Sequence, residues 1–152
     1  MAVKPIPENY HSVTPYLIVQ GAAKAIDFYK KALGATEIMR FPGPSNTIMH
    51  AEIKIGDSPI MLADEQANYR GPQALGGSPV SLMLYVDDVD KVFKQAIDSG
   101  AKSVRDVADQ FYGDRVGTLT DPFGHTWSIG THVEDVSMEE MQKRMAALPK
   151  SA

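Results

Sequence analysis

A histidine and a glutamate two residues apart are the first place to look for chemistry. His50 and Glu52 flank Ala51 in a run whose alternate members Met49, Ala51, Ile53 and Ile55 are apolar. Residues i and i+2 of a β-strand share a face, so His50, Glu52 and Lys54 stand opposite the apolar side. There the imidazole and carboxylate could form a hydrogen-bonded pair, a general base with its orienting carboxylate, or two ligands of a metal. They could equally line a binding cavity or be solvated on a half-exposed strand. His125 shares a strand side with Trp127, opposite Ser128, which reads as structural. His132 follows the last strand and reads as an anchor for the chain beyond it. Tyr112 and Arg115 flank Gly113 and Asp114 in a loop, where Arg115 suits an anionic ligand or an ion pair with Asp109 or Asp114. Cysteine is absent, which removes thiolate nucleophiles, disulfides and Cys-held zinc or iron–sulfur sites. A Gly-rich phosphate loop, a Gly-x-Ser-x-Gly elbow and an HExxH pair are absent too, so the catalytic candidates reduce to His50 and Glu52.

The elements that must position these groups come in two copies. The run Thr14-Pro15-Tyr16-Leu17-Ile18-Val19 lies 67 residues before Ser81-Leu82-Met83-Leu84-Tyr85-Val86, and both are short, apolar and strand-like. Helical spacing follows each: Ala22, Ala25, Ile26 and Tyr29 fall over Val89, Val92, Phe93 and Ala96, an i, i+3, i+4, i+7 stripe. Asp87 and Asp88 are candidate N-caps for the second helix, and Gly34 and Gly100 end the two. Three strands are predicted after each helix, over 36–41, 47–55 and 59–64 in the first copy and over 103–107, 115–120 and 126–130 in the second, separated by Gly/Pro/Asn/Asp turns. Each copy reads as βαβββ. Residues 65–78, with Gly71-Pro72 and Gly76-Gly77, read as a linker. Ser137 and Glu140 open a last helix with a capping-box pattern, and Met138, Met141, Met145 and Leu148 form its apolar stripe. The expected layout is a single domain over 1–152: module 1 at about 12–64, the linker at 65–78, module 2 at about 79–132 and the C-terminal helix at about 137–148.

Composition narrows the partners. The 152 residues carry 15 Lys+Arg against 19 Asp+Glu, a formal charge of −4, and the basic residues are scattered singly, which argues against a nucleic-acid partner. At 43% apolar and 22% charged residues the chain is of ordinary globular type. It has no apolar run long enough to span a membrane and no signal-peptide core in its first ten residues, so a cytoplasmic protein with no membrane partner is expected.

The paired βαβββ plan resembles the vicinal oxygen chelate superfamily of glyoxalases, bleomycin resistance proteins and dioxygenases. The segments Ala25-Ile26-Asp27-Phe28-Tyr29 with Leu33-Gly34 and Asp121-Pro122-Phe123-Gly124-His125 carry the likeness. The runs Thr14-Pro15-Tyr16-Leu17, His50-Ala51-Glu52, Met61-Leu62-Ala63-Asp64-Glu65 and Thr131 to Val136 resemble its PhnB-like branch. The resemblance implies an α+β fold: two tandem modules forming curved mixed sheets around a cavity, plus the C-terminal helix. It also implies metal ligands from the first and last strand of each module, which fall here near Thr14, Met61, Ser81 and Ser128. None of these is His, Asp or Glu, and the neighbouring positions are apolar, so no metal and no cofactor are expected.

Strand alternation then groups Thr14, Tyr16 and Ile18, Ser81, Met83 and Tyr85, and Thr126 and Ser128 on the inner faces, with Leu17, Val19, Leu82, Leu84 and Val86 against the helices. The expected function is metal-independent binding of a small apolar or aromatic molecule by Thr14, Tyr16, His50, Glu52, Met61, Ser81, Met83, Tyr112, Arg115 and Ser128. Met39, Met49, Met61 and Met83 are either core fill or an adaptable lining for such a ligand. The alternatives are a lyase, isomerase or dioxygenase with an acid–base or displaced metal site at His50 and Glu52, and a regulatory protein with a vestigial cavity. The last helix packs either on its own domain or across a dimer, where its Met stripe, if left uncovered, would mark an interface, and the superfamily resemblance implies a homodimer.

Overall fold

The computed structural model describes residues 2–150. Module 1 comprises β1 (Tyr16–Val19), α1 (Ala22–Leu33), β2 (Thr36–Pro42), β3 (Ile48–Ile55) and β4 (Ser58–Asp64). A one-turn helix, α2 (Pro72–Leu75), lies inside the segment read as a linker. Pro72 at its first turn and Gly76 at its end are the residues that start and stop so short a helix. Module 2 comprises β5 (Ser81–Tyr85), α3 (Val89–Asp98), β6 (Lys102–Asp109), β7 (Asp114–Thr120) and β8 (Thr126–His132), and α4 (Met138–Ala146) closes the chain. Thr14, expected on the first strand, lies two residues before β1. Pro15 there has no N–H for a ladder, although its carbonyl still accepts from Met61 N at 2.9 Å.

The strand orders are β1-β4-β3-β2 and β5-β8-β7-β6, with the first pair of each sheet parallel and the others antiparallel. The 67-residue offset is a structural register: Tyr16 pairs with Met61, and Met83 with Ser128. The apolar stripe of α1 (Ala22, Ala25, Ile26, Tyr29, Ala32) packs against Leu17, Val19, Ala51, Ile53 and Leu62, all buried. Each large aliphatic group there contributes about 1.5–3 kcal/mol by leaving water. α3 buries Val89, Phe93 and Ala96 on the second sheet.

The modules meet mainly through α1 and α3. A buried carboxylate ties them. Asp121 accepts from Tyr29 Oη at 2.6 Å, Trp127 Nε1 at 2.9 Å and the backbone N–H groups of Phe123 and His125. The helix ends follow the sequence signals. Asp88 caps α3 by accepting from Lys91 N, Ser137 caps α4 by accepting from Glu140 N, and Gly34 takes the left-handed conformation after α1. α4 buries no residue, and Met138, Met145 and Leu148 remain exposed.

Candidate functional site

The helix-packed sides of the two sheets are dry, and their other sides are open. On the first sheet the register places Tyr16, Met61, Glu52 and Met39 in one row across β1, β4, β3 and β2. Ile18, Ala63, His50 and Phe41 lie near one another in the next row. Tyr16, Met39 and Phe41 are exposed. Met49, expected beside Ala51 on the buried face, is exposed as well. The ladder shifts register between Phe41 and Pro42, so the start of β3 leaves the regular pleat, and Met49 lies against Gly43.

Within this open face three polar side chains form a chain. Tyr16 Oη stands 2.7 Å from His50 Nδ1, and His50 Nε2 stands 2.9 Å from Glu52 Oε1. Glu52 is only 7% exposed, although it sits on the open side, between Met61 and Met39 in the ladder. Its second oxygen, Oε2, is buried with no hydrogen-bond partner. Burying such an atom without a partner costs about 1–3 kcal/mol. Burial and the neighbouring Tyr69 push the Tyr16 phenol above its ordinary pKa, which keeps its proton on.

Tyr16 also lines a cavity of about 460 Å³ with Ile18, Ala63, Asp64, Gln66 and Tyr69. Asp64, which the sequence did not single out, is part of the cavity wall. Its Oδ1 accepts from Gly21 N and Ala22 N at the start of α1, and its Oδ2 accepts from Ile48 N. A signal for it existed: the residue in the cap position before α1 is Gly21, which carries no capping side chain. Glu65 fixes the following loop by accepting from Gly71 N at 2.8 Å.

The second sheet presents a different surface. Met83, Ser128, Thr118 and Arg105 form the row that matches Tyr16, Met61, Glu52 and Met39. Ser128 and Thr118 hydrogen-bond each other at 3.0 Å, Ser81 is exposed at the strand's start, and Met83 lies against Gly130. The expected site residues therefore divide between two faces, and the lining of the Tyr16 cavity comes only from module 1 and the residues just after it.

Arg115 belongs to neither face. It points to the helix side of β7, donating to both carboxylate oxygens of Asp90 on α3 (2.8 and 2.9 Å) and to Asp109 at 3.1 Å, so it is neutralised rather than presented to a ligand. Parity gives the reason: Arg115 is three residues from Thr118 and hence on the opposite side of the strand. Asp114, the other acid weighed as its partner, accepts instead from Tyr85 Oη at 2.7 Å and pairs with His132 Nδ1 at 2.6 Å. His132 Nε2 reaches Asp135 at 2.8 Å, so this histidine anchors the chain after β8 as its position implied. Tyr112 packs edge-on to Phe111 close to this cluster. His125 bonds the Ile18 carbonyl at 3.0 Å, a structural role.

These donors do not fit a divalent metal. Thr14, Met61, Ser81 and Ser128 offer three hydroxyls and a thioether, spread over both sheets. His50 and Glu52 bond each other, with the remaining imidazole nitrogen taken by Tyr16. Among the described residues no three His, Asp or Glu side chains are grouped to hold a metal ion.

Comparison with known proteins agrees with this architecture. The family model described as Glyoxalase/Bleomycin resistance protein/Dioxygenase superfamily matches residues 10–129. The chain belongs to that family. An uncharacterised Mycobacterium tuberculosis protein, Rv0887c, is 43% identical over 141 residues, covering 90% of this chain and 83% of its own. Among solved structures, protein PA1353 from Pseudomonas aeruginosa superposes with a TM-score of 0.67 at 25% identity, covering 82% of this chain and 99% of that one. A PhnB protein from Bacillus cereus, described as a putative 3-demethylubiquinone-9 3-methyltransferase, shares the fold with a TM-score of 0.63 at 17% identity, over 80% of this chain and 99% of its own. No helix among the described residues is long and apolar enough to cross a membrane.

Proposed function

We propose that this glyoxalase-family protein binds a small aromatic or apolar molecule without a metal, on the open face of its first sheet. One observation carries the reading: an apolar cavity whose wall includes Tyr16, with that phenol held by His50 and, behind it, by the buried Glu52. Ile18, Ala63 and the Tyr69 ring supply the apolar wall, and a fixed polar group at one end of such a cavity sets ligand orientation. The test is calorimetric titration of small arenes in buffer stripped of metal with a chelator. Binding that is unchanged by chelator supports the reading, and binding that requires added zinc, nickel or manganese overturns it.

A second reading is acid–base chemistry. Both ring nitrogens of His50 are occupied, so the group that would meet a substrate is Tyr16, with His50 and Glu52 passing or holding its proton. Exchange of a bound ligand's C–H for solvent deuterium, abolished by Tyr16→Phe, is the result this reading requires.

The homodimer belongs to the same proposal. Ser81, Met83 and Ser128 lie on the second sheet, apart from the Tyr16 cavity, and exposed Tyr16, Met39, Phe41, Met83 and Tyr85 put large apolar side chains on both open faces. A second copy that lays one kind of face on the other would bring the divided residues together. Light scattering should then give about twice the 16.6 kDa chain mass, and a monomer at micromolar concentration would contradict it. A cytoplasmic location and a single domain over 1–152 complete the proposal, supported by the absence of cysteine and the packing of α1 on α3.

A further inference from the structure

We propose that the ligand of the Tyr16 cavity carries a hydrogen-bond donor on an aromatic ring, a phenol or an N–H arene, and that its anionic counterparts are rejected; the inference rests on the small-molecule reading above. The argument is one of hydrogen-bond direction. An ionised carboxylate only accepts, so Glu52 Oε1, 2.9 Å from His50 Nε2, requires the proton on that nitrogen. A neutral imidazole carries one N–H, which leaves Nδ1 as an acceptor. In this tautomer, which the proposal assigns to His50, Tyr16 Oη, 2.7 Å from Nδ1, donates its hydrogen to the ring. The phenol oxygen then has only lone pairs to offer the cavity, and the matching ligand group is a donor.

Charge points the same way. Glu52 Oε2 is buried and unpartnered on this face, and no Lys or Arg is among the residues lining this cavity, Arg70 lying in the adjoining one. An anion would meet the Glu52 charge with no cation in the cavity wall. The walls of Ile18, Ala63 and Tyr69, with about 460 Å³ of space, suit a planar ring system of one or two rings.

Three probes of one shape test this: naphthol, which donates, its methyl ether, which cannot, and naphthoate, which is anionic. They are titrated calorimetrically into the wild-type protein and Tyr16→Phe near neutral pH. Tyr16 is exposed, so the variant should fold, and far-UV circular dichroism checks this. The expected result is that naphthol binds the wild type roughly fivefold to tenfold more tightly than its ether, the yield of one neutral hydrogen bond. Naphthoate should bind weakest, and Tyr16→Phe should bind naphthol and ether alike. Ether or naphthoate binding as tightly as naphthol, or a preference that survives in Tyr16→Phe, overturns the inference and leaves small-molecule binding standing. Failure of all three probes to bind overturns both.

Discussion

The two open faces descend from one module plan and hold matched rows, yet they spend their polar groups differently. Tyr16, Met61, Glu52 and Met39 on the first sheet correspond to Met83, Ser128, Thr118 and Arg105 on the second. The first row contains a buried carboxylate with an unpartnered oxygen and is linked through His50 to an exposed phenol. The second row is satisfied internally by the Ser128–Thr118 bond. Module 2 has its own tyrosine, histidine and carboxylate, but Tyr85, Asp114 and His132 are tied to Asp135 and the chain after β8. Gly113 completes that docking: its carbonyl accepts from Val133 N and Glu134 N, and its positive φ places the backbone where a Cβ would strike the Glu134 carbonyl. One cluster is built into the fold and fully paired, while the other is left incomplete at a cavity, which is where a ligand's hydrogen bond has most to gain.

The contrast can be broken most severely at Asp121, which joins the two halves. Asp121→Ala leaves the Tyr29 hydroxyl, the Trp127 indole N–H and two backbone donors without their acceptor in a dry interior, and should cost about 3–5 kcal/mol by urea denaturation. A loss below about 1 kcal/mol would mean that the modules do not depend on it. Next comes Gly113→Ala, which should cost about 2 kcal/mol and raise hydrogen exchange at Val133 and Glu134 while leaving His50 and Tyr16 undisturbed.

Glu52→Gln sharpens the comparison from the other side. It keeps an acceptor for His50 and removes the negative charge, so stability should move by less than about 1 kcal/mol, the preference for naphthol over its ether should persist, and the discrimination against naphthoate should shrink. A destabilisation as large as that of Gly113→Ala would make Glu52 a structural residue like Asp114.

The smallest effect concerns pH. Hydrogen bonding to Asp114, and then to Asp135, raises the His132 pKa. Burial pushes Asp114 up, but its bonds from His132 and Tyr85 outweigh that and leave its carboxyl below the ordinary value. A raised histidine contributes stability that is fully present below the ordinary histidine pKa and is lost as pH rises through the folded value. The Asp114 contribution is present above the ordinary aspartate pKa and fades as pH falls through its lowered one. Exchange protection at 133–136 should therefore decline modestly from pH about 6 to pH about 9, beyond the intrinsic base-catalysed change, and His132→Asn should remove the difference.

The sequence carried the fold because the repeat carried the register: residues 67 apart, Tyr16 and Met83, or Met61 and Ser128, hold equivalent places in the ladders. In the outer strands the offset slips to 66, Glu52 matching Thr118, because bulges and turn lengths differ. The pairing of His50 with Glu52 was legible from i, i+2 spacing. The Tyr16 bond to His50 spans 34 residues and follows from strand order, which composition and periodicity do not specify. Arg115 could have been set aside by counting parity from Thr118. The division of the expected lining between two faces could not, because it depends on how α1 packs on α3.

The most direct test of the account is a naphthol titration in chelator-treated buffer, followed by amide chemical shifts. The account predicts saturable changes concentrated at Tyr16, Ile18, Ala63, Asp64, Gln66 and Tyr69, with Ser81 and Ser128 moving only if a second copy covers the site. Changes confined to Ser81, Met83 and Ser128, or none until a divalent metal is added, would contradict it.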